Sequence, residues 1–107
     1  MTRGSIFWIN LEDTHPPEFG KTRPGIVVSN SIQNDILDTV VVIPLSTQPP
    51  EIWPLRIKLD PKLQERDSFA VIPGLRQVDK TRLLERVGHA SPEFLQEMDE
   101  AISAYLS

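Results

Sequence analysis

Two groups of polar side chains in this sequence stand at the ends of apolar runs, where they could act on one substrate. One group closes the segment before the run GIVVS, and the other follows the run TVVVIPL. The members of the two groups are Glu18, Lys21, Thr22, Arg23, Ser46, Thr47 and Gln48. If the two runs are neighbouring strands of a sheet, both groups open on the same side of the molecule.

Arg23 is the most informative of these residues. Pro24 biases it toward an extended backbone, and a guanidinium stays protonated at any working pH and can bind phosphate oxygens in pairs. Ser46 or Thr47 would donate a hydrogen bond to charge that develops in a transition state. Glu18 could take a proton as a general base. Together these groups are suited to chemistry on a phosphodiester.

Each of these features also has an ordinary structural interpretation. A strand-end arginine is more often a surface ion-pair partner, and a Ser-Thr pair after a strand most often caps a turn. Trp8 and Trp53 are more often core or interface anchors than platforms for base stacking. Composition and spacing alone therefore favour a small soluble β-rich domain, with anion binding as one interpretation of its loops.

The composition excludes several classes of site. The chain has 107 residues, of which 39% are apolar and 24% charged, as in an ordinary globular protein, and we expect one domain over residues 1–107. It has no cysteine, which rules out disulfides and thiolate metal sites, and two histidines are few for a catalytic metal. We expect no signal peptide or membrane span, which makes the cytoplasm the default location.

The net charge of −4 argues mildly against a protein that coats nucleic acid. Four acids and no bases lie between Ser91 and the end, whereas residues 1–90 carry eleven of each sign. The main body is therefore neutral, and a local basic patch remains open.

The order of apolar runs predicts many short strands followed by one helix. We expect strands at residues 5–11, 25–29, 39–45, 55–59 and 68–72, extended structure at 75–80, and either strand or helix at 83–89. Residues 12–22 are predicted to form a long loop, and residues 29–38 a turn or a short helical turn. These elements predict a small, barrel-like antiparallel sheet.

The last segment predicts a helix that packs on this sheet. Ser91 is the expected N-cap, and Pro92 takes the first helical position. Apolar residues then recur at spacings of three and four, which indicates a core-facing stripe. The stripe consists of Phe94, Leu95, Met98, Ala101, Ile102 and Tyr105.

Several motifs also occur in an order and spacing that resemble a known family. They are RGSIFWINL at 3–11, EFGKTRPGIVVSN at 18–30, VVIPLST at 41–47, ERDS at 65–68, LRQVDKTRL at 75–83 and DEAI at 99–102. Together they resemble the MazF/PemK family of toxin endoribonucleases over essentially the whole chain. The resemblance implies a CcdB/PemK-like fold: a mainly β protein with an antiparallel sheet curled toward an SH3-like barrel, a C-terminal helix and a homodimer.

The same resemblance implies an activity and partners. It implies metal-independent cleavage of single-stranded RNA at a short preferred sequence, without a cofactor. The ribose 2′-hydroxyl attacks the adjacent phosphate and leaves a cyclic phosphate and a free 5′-hydroxyl. It also implies a cognate antitoxin whose disordered acidic tail covers the RNA groove.

The resemblance assigns roles to individual residues. Arg23 and Ser46 match the catalytic pair of the family, Glu18 matches its loop glutamate, and Asn30 matches a position that contacts RNA. The expected RNA-binding residues also include Lys21, Thr22, Thr47, Gln48 and Arg76.

Two positions depart from the family pattern. Pro73 and Gly74 stand where relatives commonly carry an acidic residue and a glutamine that contact RNA or assist catalysis. Pro17 replaces a histidine that some relatives place before the loop glutamate, and His15 lies two residues earlier. The acid–base role therefore falls on Glu18, His15 or water.

Two other functions stay open on this pattern. A protein of the same fold could poison DNA gyrase as CcdB does, but CcdB-type proteins depend on a Trp-Gly-Ile end and this chain ends in AYLS. A degenerate member could keep antitoxin binding and lose cleavage.

Overall fold

The structure of this chain is a computed structural model, and it describes residues 1–11 and 22–107. The strands of these residues are β1 (Ser5–Asn10), β2 (Thr22–Val27), β3 (Thr39–Ser46), β4 (Arg56–Lys58), β5 (Phe69–Val71), β6 (Arg76–Asp79) and β7 (Leu83–His89). The helices are α1 (Ser31–Ile36) and α2 (Pro92–Leu106), with 3₁₀ turns at Ile72–Gly74 and Lys80–Arg82.

The seven strands form one antiparallel sheet in which β3 is the central element. The order is β4-β5-β3-β2-β1-β7, and β6 also pairs with β3. On one side β3 pairs with β2; on the other, its first half pairs with β6 and its end pairs with β5. The β-branched run of β3 suits such a doubly flanked strand. Two separate segments therefore reach the end of β3, one on each side.

Within residues 1–11 and 22–107, buried apolar side chains form two clusters. The larger cluster includes residues of β1–β5 and the buried face of α2, and the smaller joins β1, β2, β3 and β6. The members of α2 in the larger cluster are Phe94, Met98 and Ala101. Burial of a side chain the size of Met98, which is 0% exposed, stabilises the fold by roughly 1.5–3 kcal/mol.

The predicted fold class is confirmed: the protein is mainly β with a C-terminal helix. Ser91 caps α2 by accepting a hydrogen bond from the Phe94 backbone N–H at 3.0 Å, as its position before Pro92 predicts. Residues 83–89, left open between strand and helix, form β7, and residues 29–38 contain the short helix α1.

One other expectation is wrong, and another lies mostly outside the described residues. Tyr105 is 41% exposed, so the prediction that it belongs to the core-facing stripe is wrong; it lies in the last turn of α2, whose final residues are exposed. The predicted loop at residues 12–22 lies outside the described residues, except that Thr22 begins β2. None of the helices in residues 1–11 and 22–107 has the length and apolar character needed to cross a membrane.

Candidate active site

The pairing of β2 with β3 brings Arg23 to Ser46. The two strands pair antiparallel with Val27 opposite Val42 and Gly25 opposite Pro44. The same register, carried two residues further, places Arg23 across from Ser46. Directly opposite residues of an antiparallel pair project to the same face of a sheet. Residues 23 positions apart in the sequence therefore come together at one end of the sheet, where both line one cleft.

A cleft of about 150 Å³ opens at this end of the sheet. It is smaller than the roughly 300–1,000 Å³ typical of small-molecule sites, and suits a short part of a longer ligand. The described residues that line it are Trp8, Arg23, Pro24, Leu45, Ser46, Thr47, Leu63, Gln64, Arg66 and Ser68. Among these lining residues two are arginines and none is acidic, so this part of the cleft is suited to an anion.

The hydroxyl of Ser46 is held by the turn that follows β3. Ser46 is 6% exposed, and its Oγ accepts a hydrogen bond from the backbone N–H of Gln48 at 3.1 Å. The Arg56 guanidinium in turn donates to the Gln48 carbonyl oxygen at 2.7 Å. Because Oγ accepts from the backbone, its own proton can be donated to a group in the cleft. The turn-capping interpretation of Ser46 and a catalytic one are thus compatible.

Trp8 forms part of the wall beside Arg23. It pairs with Pro24 across β1 and β2 and is half-buried. The sequence interpretation favoured a core or interface anchor over a platform for base stacking at Trp8, and it did not place this residue at a cleft. The alternation of side chains along β1 offered a signal for which face Trp8 occupies. Ile6 and Ile9 are buried in different clusters, on the two faces of the sheet.

The opposite wall comes from the turn between β4 and β5, which sequence reasoning missed. Leu63, Gln64, Arg66 and Ser68 of this segment line the cleft. The family-like motif ERDS at 65–68 was the available signal, but the motif by itself did not place these side chains beside Arg23.

The remaining predicted site residues lie in several places. Thr47 lines the cleft, whereas Thr22 begins β2 opposite Asn10, and Gln48 contributes backbone groups to the turn after β3. Glu18 and Lys21 lie outside the described residues, as do His15 and Pro17.

Asn30 and Arg76 are not among the described lining residues of this cleft. Asn30 caps α1, where its Oδ1 accepts a hydrogen bond from the backbone N–H of Ile32 at 2.7 Å. Arg76 lies in β6 opposite Val42, the residue four positions before Ser46 on β3. Four strand residues span roughly 13 Å. The structure therefore gives Asn30 a structural role and sets Arg76 well along β3 from Ser46.

Part of the motif at 75–83 serves the fold. The Asp79 carboxylate caps the second 3₁₀ turn by accepting from the Thr81 N–H and hydroxyl, both at 2.9 Å. The backbone bond first, and then the side-chain bond, lower the pKa of Asp79 below its ordinary value. Arg82 donates to the carbonyl oxygen of Asn10 at 3.1 Å, which ties this turn to β1.

The fold is an antiparallel β-sheet with a C-terminal helix, and its cleft is lined by two arginines and several hydroxyl-bearing side chains. A family model matches residues 2–106 of the chain, and its description is "PemK-like, MazF-like toxin of type II toxin-antitoxin system". The chain belongs to this family.

Individual relatives agree with this assignment. The chain is 30% identical to the Endoribonuclease EndoA of Bacillus subtilis over 110 residues, covering 100% of this chain and 95% of that protein. The crystal structure of MazF (Form-I) from Deinococcus radiodurans has a TM-score of 0.83 at 20% identity. The match covers 99% of this chain and 96% of the MazF chain. An endoribonuclease in complex with its cognate antitoxin, from a mycobacterial species, has a TM-score of 0.82 at 20% identity, with 99% and 94% covered. These two structural likenesses show the same fold.

Proposed function

We propose that this protein is the toxin of a type II toxin–antitoxin system and that it cleaves single-stranded RNA at a short preferred sequence without a metal ion. Family membership and the similarity to EndoA support endoribonuclease activity. The observation that carries the assignment to this cleft is the meeting of Arg23 and Ser46 at the end of two paired strands.

Arg23 acts on the charge of the scissile phosphate in this proposal. Attack on a phosphodiester gathers negative charge on the non-bridging oxygens, and a fixed guanidinium can bind two of these oxygens at once. Arg23 lies on a paired strand and is followed by Pro24. Part of the entropy cost of ordering this residue is therefore incurred on folding, before the substrate binds. Arg23 therefore stabilises the transition state more than the ground state.

Ser46 donates a second hydrogen bond to the same phosphate. The ribose 2′-oxygen forms a new bond to phosphorus, and the bond from phosphorus to the 5′-oxygen of the next nucleotide breaks. The proton of the 2′-hydroxyl leaves to a base, and the departing 5′-oxygen gains a proton. The products are a 2′,3′-cyclic phosphate and a free 5′-hydroxyl, with no water consumed in this step.

Glu18 is the residue that we assign to the proton transfer from the 2′-hydroxyl. It precedes Arg23 by five residues in the motif EFGKTR, and it lies outside the described residues. Pro73 and Gly74 cannot supply an acidic or amide side chain at the position that relatives use. His15 and water are the other candidates for this role.

The partners follow from the family. We propose a homodimer and a cognate antitoxin whose acidic segment competes with RNA for the cationic cleft. A solved relative is described as an endoribonuclease in complex with its cognate antitoxin, and others as MazE–MazF of Deinococcus radiodurans. Since the proposed substrate is cellular RNA, we place the protein in the cytoplasm.

The chemistry is tested with a short RNA that contains one mapped cleavage step. A matched RNA with a single 2′-deoxy nucleotide on the 5′ side of that step should resist cleavage, because it lacks the attacking hydroxyl. The 3′ product of the normal RNA should accept a phosphate from polynucleotide kinase without prior dephosphorylation. Cleavage of the 2′-deoxy RNA at the same step would contradict the mechanism.

A further inference from the structure

The cleft contains a second arginine, Arg66, that the mechanism above does not use. It lies on the turn between β4 and β5, and β5 pairs with the end of β3 on the side away from β2, which carries Arg23. Both arginines line the same cleft, so each can contribute a positive charge to the binding of an anionic ligand there.

The turn that carries Arg66 is held in place by packing and by its backbone. Leu63 packs against the larger core cluster, and the backbone N–H of Arg66 donates to the Leu63 carbonyl oxygen at 3.0 Å. Between them, Gln64 and Glu65 take left-handed backbone angles, with φ of 51° and 63°. Such angles are uncommon for residues other than glycine and persist where the surroundings impose them. Arg66 is therefore presented from a defined turn.

The acid that follows Arg66 is already paired, and the acid that precedes it, Glu65, forms no ion pair within the described residues. The Asp67 carboxylate forms ion pairs with Lys58 at 3.5 Å and with Lys62 at 3.8 Å. By contrast, the Arg66 side chain has no hydrogen bond or ion pair within residues 1–11 and 22–107, and Arg66 is exposed. Its guanidinium therefore presents N–H donors to the cleft without a competing carboxylate from that part of the chain.

Ser68 adds a neutral donor on the same wall. Ser68 is 4% exposed and lines the cleft, and within the described part of the chain its hydroxyl makes no hydrogen bond. No buried side-chain oxygen of the described residues lacks a partner, so this hydroxyl is accessible from the cleft and can donate a hydrogen bond to a ligand there. Arg66 and Ser68 thus add a charged and a neutral donor to the cleft that Arg23 and Ser46 also line.

We propose that Arg66 is a substrate-binding residue that holds the RNA phosphate next to the scissile one, with Ser68 as a supporting donor. This inference rests on the proposed function. Single-stranded RNA carries one phosphate per nucleotide, so a strand that places one phosphate at Arg23 brings a neighbouring phosphate to the facing wall. Arg66 therefore sets the register of the strand, and its contribution is to binding and not to the bond-breaking step.

The test measures binding of a fluorescently labelled RNA whose riboses are all 2′-O-methylated, so that no cleavage occurs. Arg66→Ala should weaken binding by about tenfold, as expected for the loss of hydrogen bonds from a charged donor. The slope of log affinity against log salt should become shallower by about 0.7, the value for one phosphate contact on a single strand. Arg66→Lys should restore the slope and part of the affinity, because it keeps the charge and loses the paired geometry.

Lys62→Ala is the matched control. It removes the same charge from the same turn, but Lys62 is outside the described lining of the cleft and pairs with Asp67. We expect it to change affinity by less than about twofold, the size of an exposed ion pair. Equal losses in Arg66→Ala and Lys62→Ala would overturn the inference, because they would show a general effect of net charge.

Cleavage kinetics separate this inference from the proposed function. Arg66→Ala should raise KM by about tenfold and leave kcat within about threefold of the unmodified protein. A fall in kcat with an unchanged KM would overturn the binding role. If the unmodified protein binds RNA but does not cut it, the proposed function fails, and the binding comparison between the Arg66 and Lys62 variants still decides the inference.

Discussion

Replacing Ser46 by alanine removes two hydrogen bonds whose energies can be compared. In the structure Oγ accepts from the Gln48 N–H at 3.1 Å, and in the proposed mechanism its proton is donated to the scissile phosphate. Ser46 is 6% exposed, but it lines an open cleft. The substitution removes one oxygen atom, and water from the cleft can take its place.

The expected loss of activity is modest for this reason. A donor deep in a sealed oxyanion site contributes about 10²–10³ in kcat, whereas a neutral hydrogen bond that water can replace contributes about 0.5–1.5 kcal/mol. The second case fits an open cleft, so kcat/KM of Ser46→Ala should fall by about two- to tenfold. The kcat/KM of Arg23→Ala should fall by about hundredfold or more. A paired, charged contact of roughly 3 kcal/mol is lost, and water cannot replace its charge.

The assay is the initial rate of cleavage of a fluorogenic RNA under conditions where the rate is proportional to RNA concentration. Ser46→Thr, which keeps the hydroxyl, serves as the matched control and should retain most of the activity. Thermal unfolding followed by circular dichroism checks the fold; Ser46→Ala should lose less than about 1 kcal/mol, since Gln48 is an exposed residue next to an open cleft, where water can replace the lost hydrogen bond. A larger loss of activity for Ser46→Ala than for Arg23→Ala would refute this ranking of roles.

Two further predictions concern stability. A Cβ at Gly25 would lie 2.5 Å from the Cδ1 atom of Ile9, which is 1% exposed, so Gly25→Ala should destabilise the fold by about 1–3 kcal/mol and lower Tm; an unchanged Tm would mean that the Ile9 side chain has room to move. Burial and then the carboxylates of Glu51 and Glu100 raise the pKa of Glu97. The ionised form is therefore less stable in the folded state, and stability falls as the pH rises through the raised pKa. Glu97→Gln should stabilise the protein by a few tenths of a kcal/mol at neutral pH and by nothing below the ordinary range of a glutamate; equal effects at both pH values would contradict this assignment.

The sheet and one half of the cleft could be predicted from the sequence. The β-branched runs of β2 and β3 indicate strands, and neighbouring strands bring the residues at their ends together. Arg23 beside Pro24 and the polar pair after β3 were thus predicted to meet. The pairing of these two strands depends only on the local sequence pattern and on a register that the alternation of buried and exposed side chains specifies.

The other half of the cleft depends on packing that a single sequence does not reveal. Residues 62–67 are polar and indicate a turn, but nothing local places Arg66 opposite Arg23. That placement needs Leu63 on the core and left-handed backbone angles at Gln64 and Glu65, residues that carry no glycine-like signal.

The central claim is that this cleft cuts RNA without a metal ion and that Arg23 is required. The most direct measurement incubates the purified protein and the Arg23→Ala variant with a long single-stranded RNA in EDTA, and maps the new ends by primer extension. We predict discrete cuts at a shared short sequence, with 5′-hydroxyl ends, that are lost in a folded Arg23→Ala variant. Cuts that persist at the same positions in that variant, or no cuts from a folded and dimeric unmodified protein, would contradict the claim.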